Sequence, residues 1–238
     1  MAILELRGIS KTFGEGATEV HALSDVSFTV EAGALVAVMG ASGSGKSTLL
    51  TIAGALESPT RGEVVVDGAT LSQLSHNEQA RMRRRTIGYV FQDFNLLPGL
   101  TARENVALPL ELDGVAKRQA NDEATKALDE LGLGDRALRF PDELSGGECQ
   151  RVAIARSVVG DRRLLLADEP SGALDSTNAE AVMRLVVAAC RRGVAAVVVT
   201  HDAHLASWAD RVLQLRDGRI VEETLPEHRD SLLTPQPQ

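Results

Sequence analysis

The chain has 238 residues, 44% hydrophobic and 24% charged, an ordinary globular balance with no apolar run near the ~20 residues that cross a bilayer. A net charge of −8 and a pI near 5.2 argue against a sequence-independent nucleic-acid binder, which needs a basic stripe. Two cysteines, Cys149 and Cys190, make no disulfide framework and lack metal-ligand spacing, so both read as reduced thiols.

The N-terminus, Met1-Ala2-Ile3-Leu4-Glu5-Leu6-Arg7, lacks the layout of a signal peptide, and a cytoplasmic location is expected. Period-two patterns at Ile3, Leu4 and Leu6, at Val26, Phe28 and Val30, and at Val64-Val65-Val66 predict strands. Asp67-Gly68 is a tight-turn signal after the last of them. These strands suggest an antiparallel β layer.

Between them lies the most telling stretch, Gly40-Ala41-Ser42-Gly43-Ser44-Gly45-Lys46-Ser47, which fits G-x-x-x-x-G-K-[ST]. At average residue usage the four fixed positions arise by chance in about one chain of this length in a hundred. A flexible Gly/Ser turn is the plain alternative. The flanks oppose it: Ala34-Leu35-Val36-Ala37-Val38-Met39 reads as a buried strand and Thr48-Leu49-Leu50-Thr51-Ile52-Ala53 as a helix start. Strand, glycine loop and helix together aim backbone N–H groups at one spot, which suits a triphosphate. Lys46 would reach the β- and γ-phosphates, and the Ser47 hydroxyl would ligate Mg²⁺.

Arg81-Met82-Arg83-Arg84-Arg85 reads as a solvated helix face, with a phosphate or partner contact as the alternative. Thr86–Phe91 is the next strand, ending at Gln92. From about residue 93 to 159 the pattern is helical, with Ala120, Ala124, Ala127, Leu128 and Leu131 in register and no convincing strand. Within it, Leu144-Ser145-Gly146-Gly147-Glu148 precedes a helix, and a serine with two glycines at a helix N-terminus makes a second anion site. One nucleotide does not need two such sites on one protomer, so the second suits a nucleotide held by another subunit.

Leu164-Leu165-Leu166-Ala167-Asp168-Glu169 is an apolar strand ending in two carboxylates. Functional groups gather at strand C-termini in a parallel sheet, where Asp168 can hold Mg²⁺ and Glu169 can face an attacking water. A pair of solvated acids is the alternative. Thr177-Asn178-Ala179-Glu180 fits a capping box opening a helix. Val194–Val199 is the last buried strand, followed by His201, which a doubly wound sheet puts with Gln92 at the phosphate end. Val212–Leu215 and Arg219–Val221 around Asp217-Gly218 read as a closing hairpin, and a mobile tail is expected after Glu223.

Taken in order, these motifs resemble the nucleotide-binding subunit of an ATP-binding-cassette (ABC) transporter, over residues 2–223. Gly40–Ser47 is similar to its Walker A motif, Gln92 to its Q-loop, Leu144–Glu148 to its signature and Leu164–Glu169 to its Walker B motif. Ser171-Gly172-Ala173-Leu174-Asp175 is similar to its D-loop, and His201 to its switch histidine. Met39–Thr48, Val90–Pro98 and Ser145–Glu148 resemble the macrolide-exporter and lipoprotein-release group in particular. The resemblance implies an α/β fold: a P-loop NTPase (RecA-like) core with an antiparallel β subdomain and an inserted helical subdomain. One ABC ATPase domain is expected, with core at 1–92 and 160–223, helical subdomain at 93–159 and tail at 224–238.

The resemblance further implies ATP and Mg²⁺ as cofactors, with the metal at Ser47, Gln92 and Asp168. Nucleotide contacts are implied at Phe13, Gly40 through Thr48 and Asp175, and from a second copy at Ser145, Gly146, Gly147 and Glu148. Glu169, His201 and Gln92 take the catalytic roles. The implied partners are a second copy in an ATP-dependent head-to-tail dimer and a separate permease, which alone provides membrane contact at the cytoplasmic face. No nucleic-acid partner is implied: a chromosome-maintenance ATPase would need a coiled coil or basic groove, and a translation-factor cassette carries two units. A non-transporting mechanical coupler stays open. Three positions depart from the family pattern: Phe13 stands for a Tyr that stacks on adenine, Glu148 for Gln, and Cys149 for Gln beside the trans nucleotide site.

Overall fold

The computed structural model describes residues 1–170 and 176–226, so the motif ending in Asp175 and most of the expected tail lie outside the described residues. Two sheets stack. The first, ordered β2-β1-β4-β5, is built from β1 (Ala2–Phe13), β2 (Val20–Glu31), β4 (Arg61–Val66) and β5 (Ala69–Thr70), all antiparallel neighbours. Asp67 and Gly68 join β4 to β5 with φ of 48° and 80°, the two left-handed residues that a type I′ turn requires.

The second sheet is β10-β9-β3-β8-β7-β6. Its parallel part comprises β3 (Leu35–Met39), β6 (Ile87–Val90), β7 (Leu164–Asp168), β8 (Ala195–Thr200) and β9 (Arg211–Arg216); β10 (Arg219–Thr224) returns antiparallel. The continuous apolar runs of β3, β7 and β8 follow from burial on both faces. Val36, Val38, Leu164, Leu166, Val197 and Val199 pack with the first sheet and α1 (Lys46–Ala53). The alternating Leu35, Ala37, Leu165, Ala167, Ala196 and Val198 pack on the opposite side. There they meet α6 (Ser176–Arg191), whose Val182, Met183, Val186, Val187 and Cys190 recur at helical spacing, and α7 (Ala203–Ala206).

Between β6 and β7 the longer elements are helices: α3 (Ala102–Leu112), α4 (Lys117–Glu130) and α5 (Gly146–Val158). They bury a cluster of their own, with Val106, Ala120, Ala124, Leu128, Val152 and Ala155. α3 and α5 open on reciprocal capping boxes, Thr101 with Glu104 and Ser145 with Glu148.

Several expectations need correction. β2 runs from Val20, well before the apolar alternation at Val26, because Val20 and His21 are exposed and the buried Leu23 is out of phase with Val26, Phe28 and Val30. β10 reaches Thr224, paired with Val212, so the tail does not begin at 224. The arginine run lies on α2 (His76–Arg85) but is not simply solvated: Arg83 donates to the Ala55 carbonyl at 2.7 Å, and Arg85 pairs with Asp113 at 2.7 Å.

Candidate functional site

The parallel register aligns the ends of three strands. Met39 pairs with Thr200 and Val199 with Asp168, so the loops after β3, β8 and β7 leave the sheet side by side; the loop after β6 leaves beside β7. The result is a cleft of about 660 Å³ lined by Ser42, Gly43, Gly45, Lys46, Ser47, Thr48, Gln92, Asp168, Glu169 and His201. Residues far apart in sequence are thus brought to one place.

The phosphate loop is shaped by close approach. A Cβ on Gly45, at φ 104°, would collide with the Ala22 carbonyl, and one on Gly40 with the Leu215 carbonyl. Gly45 caps α1, whose first amides have no partner within the helix and point out of its N-terminus. The buried Lys46 ammonium donates to the carbonyls of Gly40 (2.8 Å) and Ala41 (3.0 Å), using two of its three donors. The Ser44 hydroxyl is buried without a hydrogen-bond partner. Gly40, Ala41 and Ser44 do not line the cleft; they face a neighbouring hollow of about 370 Å³ against the β9–β10 hairpin. There the Gly218 N–H donates to the Ser44 carbonyl at 3.1 Å.

Glu169 follows Asp168 with φ 44°, a left-handed conformation that costs about 1 kcal/mol or more in a non-glycine residue. Its N–H is held by the Val199 carbonyl at 3.0 Å. Its Oε1 lies 3.0 Å from His201 Nδ1, and since an ionised carboxylate can only accept, Nδ1 carries the hydrogen. Its Oε2 is buried with no partner. His201 therefore holds Glu169 through one oxygen and leaves the other unpaired.

Burial pushes the Asp168 carboxyl above the ordinary carboxylate range; the hydrogen bond with Ser47 opposes this, the charge of Glu169 adds to it and Lys46 opposes it. A Ser47 hydroxyl beside a desolvated carboxylate, with the Gln92 amide on the same cleft, is a hard-oxygen donor set. Among the described residues no group of three or more His, Cys, Asp and Glu forms a cage. A set this sparse fits Mg²⁺, which takes one or two carboxylates and completes its shell with phosphate oxygens and water.

The raised carboxyl has a stability consequence. A folded pKa above the unfolded value penalises the ionised form; the penalty is absent below the unfolded value and grows as pH rises toward the folded one. Asp168→Asn is therefore expected to raise the melting temperature of the nucleotide-free protein at pH 7. The gain, about 2–4 °C for each kcal/mol relieved, should shrink toward pH 4. Paired thermal melts at the two pH values check this, and a lower melting temperature at pH 7 would contradict it.

The remaining candidates among the described residues lie outside the cleft. Phe13 is half-exposed at the end of β1, with Lys11 Nζ 4.8 Å from its ring centroid. It pairs across the strands with Val20, which does line the cleft. Ser145 and Gly146 are exposed at the start of α5, away from the cleft of their own chain. Glu148 turns back on its own helix, accepting from the Ser145 N–H at 2.8 Å and pairing with Arg136 at 3.0 Å. Those bonds, the Ser145 main chain first, hold its carboxyl below the usual range. The S-x-x-E spacing of Ser145 and Glu148 is itself the local sequence signal for this cap. Cys149 points inward, its thiol 3.5 Å from the Pro141 carbonyl, rather than toward the exposed helix start. His21 and Ala22 of β2 also line the cleft; nothing local in the sequence marks them.

Comparison with known proteins gives consistent matches. The ABC transporter family model matches residues 23–172. The lipoprotein-releasing system ATP-binding protein LolD of Shewanella denitrificans is 47% identical over 221 residues, 92% of this chain and 95% of that protein. The macrolide export ATP-binding/permease protein MacB of Aggregatibacter actinomycetemcomitans is 43% identical over 224 residues, 94% of this chain. The chain spans 35% of that protein's length. Among solved structures, the dimeric post-hydrolysis state of the ATP-binding cassette MJ0796 bound to ADP and Pi superposes with a TM-score of 0.87 at 39% identity, covering 94% of this chain and 99% of that one.

Proposed function

The chain belongs to the ABC transporter family, and on that premise we propose that it is an ATPase subunit that closes head-to-tail on a second copy of itself and drives a membrane permease. The observation that carries the reading is the separation of two anion sites. The phosphate loop, Asp168, Glu169, His201 and Gln92 share one cleft, whereas Ser145 and Gly146 present a helix N-terminus on the exposed surface elsewhere. A helix N-terminus that meets no phosphate of its own chain suits the γ-phosphate of a partner's nucleotide.

In this reading the α1 amides and Lys46 bind the phosphates, and Phe13 stacks on the base. Ser47 and Asp168, with Gln92, hold Mg²⁺, which supplies charge neutralisation at the phosphates when bound. Glu169 takes the proton of the attacking water while His201 orients the carboxylate through Oε1. Loss of the γ-phosphate removes the charge bridging the two copies, and the pair opens. Among the described residues no helix is long and apolar enough to cross a membrane. In this reading, work on a membrane passes through a permease partner at the cytoplasmic face. Relatives named for macrolide export and for lipoprotein release support that class of work.

Ser145→Arg is expected to cut turnover by about a hundredfold, as loss of a phosphate-facing donor set does, while the monomer binds ATP as the parent does. A thermal melt controls for the lost helix cap, about 1 kcal/mol. Mixing it with Lys46→Ala should restore activity, since one composite site then has both an intact loop and an intact signature. Parental turnover in Ser145→Arg, or no recovery on mixing, would remove the two-copy site.

A further inference from the structure

Gln92 lines the cleft, but the loop that follows it is fastened elsewhere. The buried Asn105 of α3 accepts from the Leu97 N–H at 2.7 Å and donates to the carbonyls of Leu97, Leu100 and Thr101 at 3.1, 3.0 and 3.1 Å. Closer to Gln92, Arg156 of α5 donates from Nη1 to the Asn95 carbonyl at 2.6 Å and from Nη2 to the Phe94 carbonyl at 2.8 Å. Phe94 and Asn95 have φ of 60° and 47°, two successive left-handed residues without glycine. Such a turn costs energy unless its surroundings impose it. Here a planar guanidinium, with two donors spaced for two adjacent carbonyls, offsets that cost. Burial lowers the Arg156 pKa, and these bonds partly replace the water it has lost.

Arg156 lies in the last turns of the helix whose N-cap is Ser145, about 16 Å along the axis. One rigid rod therefore carries the exposed anion site at one end and grips the Gln92 loop at the other. We infer that Arg156 is a positioning residue for ATP hydrolysis: by binding the Phe94 and Asn95 carbonyls it makes the loop carrying Gln92 follow helix α5. Engagement of Ser145 by a partner's nucleotide then sets Gln92 in its own cleft. This rests on the reading above that Gln92 serves the bound nucleotide and that the start of α5 meets the second copy.

The test is a double-mutant cycle between Arg156→Ala and Gln92→Ala, with turnover expressed per ATP-binding site counted by calorimetry, which corrects for any unfolded fraction. Arg156→Ala should lower kcat about tenfold, while KM and monomer affinity for Mg·ATP stay within about threefold. Arg156→Lys, which keeps the charge but lacks the planar fork matched to two adjacent carbonyls, should fall between parent and alanine, and it replaces alanine in the cycle if that variant does not fold. In the Gln92→Ala background the Arg156 substitution should cost nothing further. Parental kcat in Arg156→Ala, or its full loss repeated in the Gln92→Ala background, overturns the inference. Parental turnover in Gln92→Ala would instead overturn the role of Gln92, and the Arg156 inference with it.

Discussion

Glu169→Gln is expected to give a protein that dimerises on ATP and scarcely turns it over. The parent carboxylate has two different oxygens: Oε1 accepts from His201, and Oε2 is buried and unpaired. Glutamine can keep an oxygen toward His201, but it puts an NH₂ donor where the proton acceptor was. Loss of a general base lowers turnover by about 10²–10⁴-fold. Binding should survive, because Lys46, Ser47 and Asp168 are untouched. ATP then bridges two copies without being consumed, and mass action favours the dimer. Size-exclusion chromatography with light scattering, with and without Mg·ATP, reads the assembly, and phosphate release reads the turnover. A variant that stays monomeric at saturating ATP, or keeps parental turnover, would take Glu169 out of the role assigned to it.

Lys46→Ala is expected to weaken Mg·ATP binding by about ten- to a hundredfold, taking the charge-assisted hydrogen bond that its remaining donor can make to phosphate, ~1.5–3 kcal/mol. The side chain is not a passive exposed cation. It is buried, and its ammonium ties together the Gly40 and Ala41 carbonyls, so it also shapes the loop it serves. Alanine removes both functions at once. The fold should persist, since Leu49, Leu50 and Ile52 anchor α1 in the core independently of the lysine. Calorimetry with Mg²⁺ measures the affinity and a thermal melt the fold. A Kd within threefold of the parent in a folded variant would show that the phosphates are held by the loop amides alone.

The sequence by itself determined the parts of this protein whose signal is local. A glycine loop between an apolar strand and a helix, and two acids after four apolar residues, are read from neighbours in the chain because backbone geometry repeats over a few residues. The alternation of Val36 and Val38 with Leu35 and Ala37 reflects burial on both faces of a parallel sheet, which a run of apolar residues announces. Asp217-Gly218 likewise marks the closing turn, where both residues have positive φ.

Only the tertiary structure decided how these parts meet. Strand order sets β8 between β3 and β7, and that order, absent from any local pattern, puts His201 against Glu169 and Asp168 beside the phosphate loop. The start of β2 is out of phase with the alternation from Val26 on, so no local pattern marks His21 and Ala22 as lining the cleft. Composition alone made Arg83 and Arg85 look like solvent-facing charges; their partners, the Ala55 carbonyl and Asp113, come from segments that fold over them. The pairing of Glu148 with Arg136 and the inward turn of Cys149 follow the same logic. A side chain's residue type sets what it can bind, but which groups come within 3 Å of it depends on the packing of distant segments, and that information is spread over the whole chain.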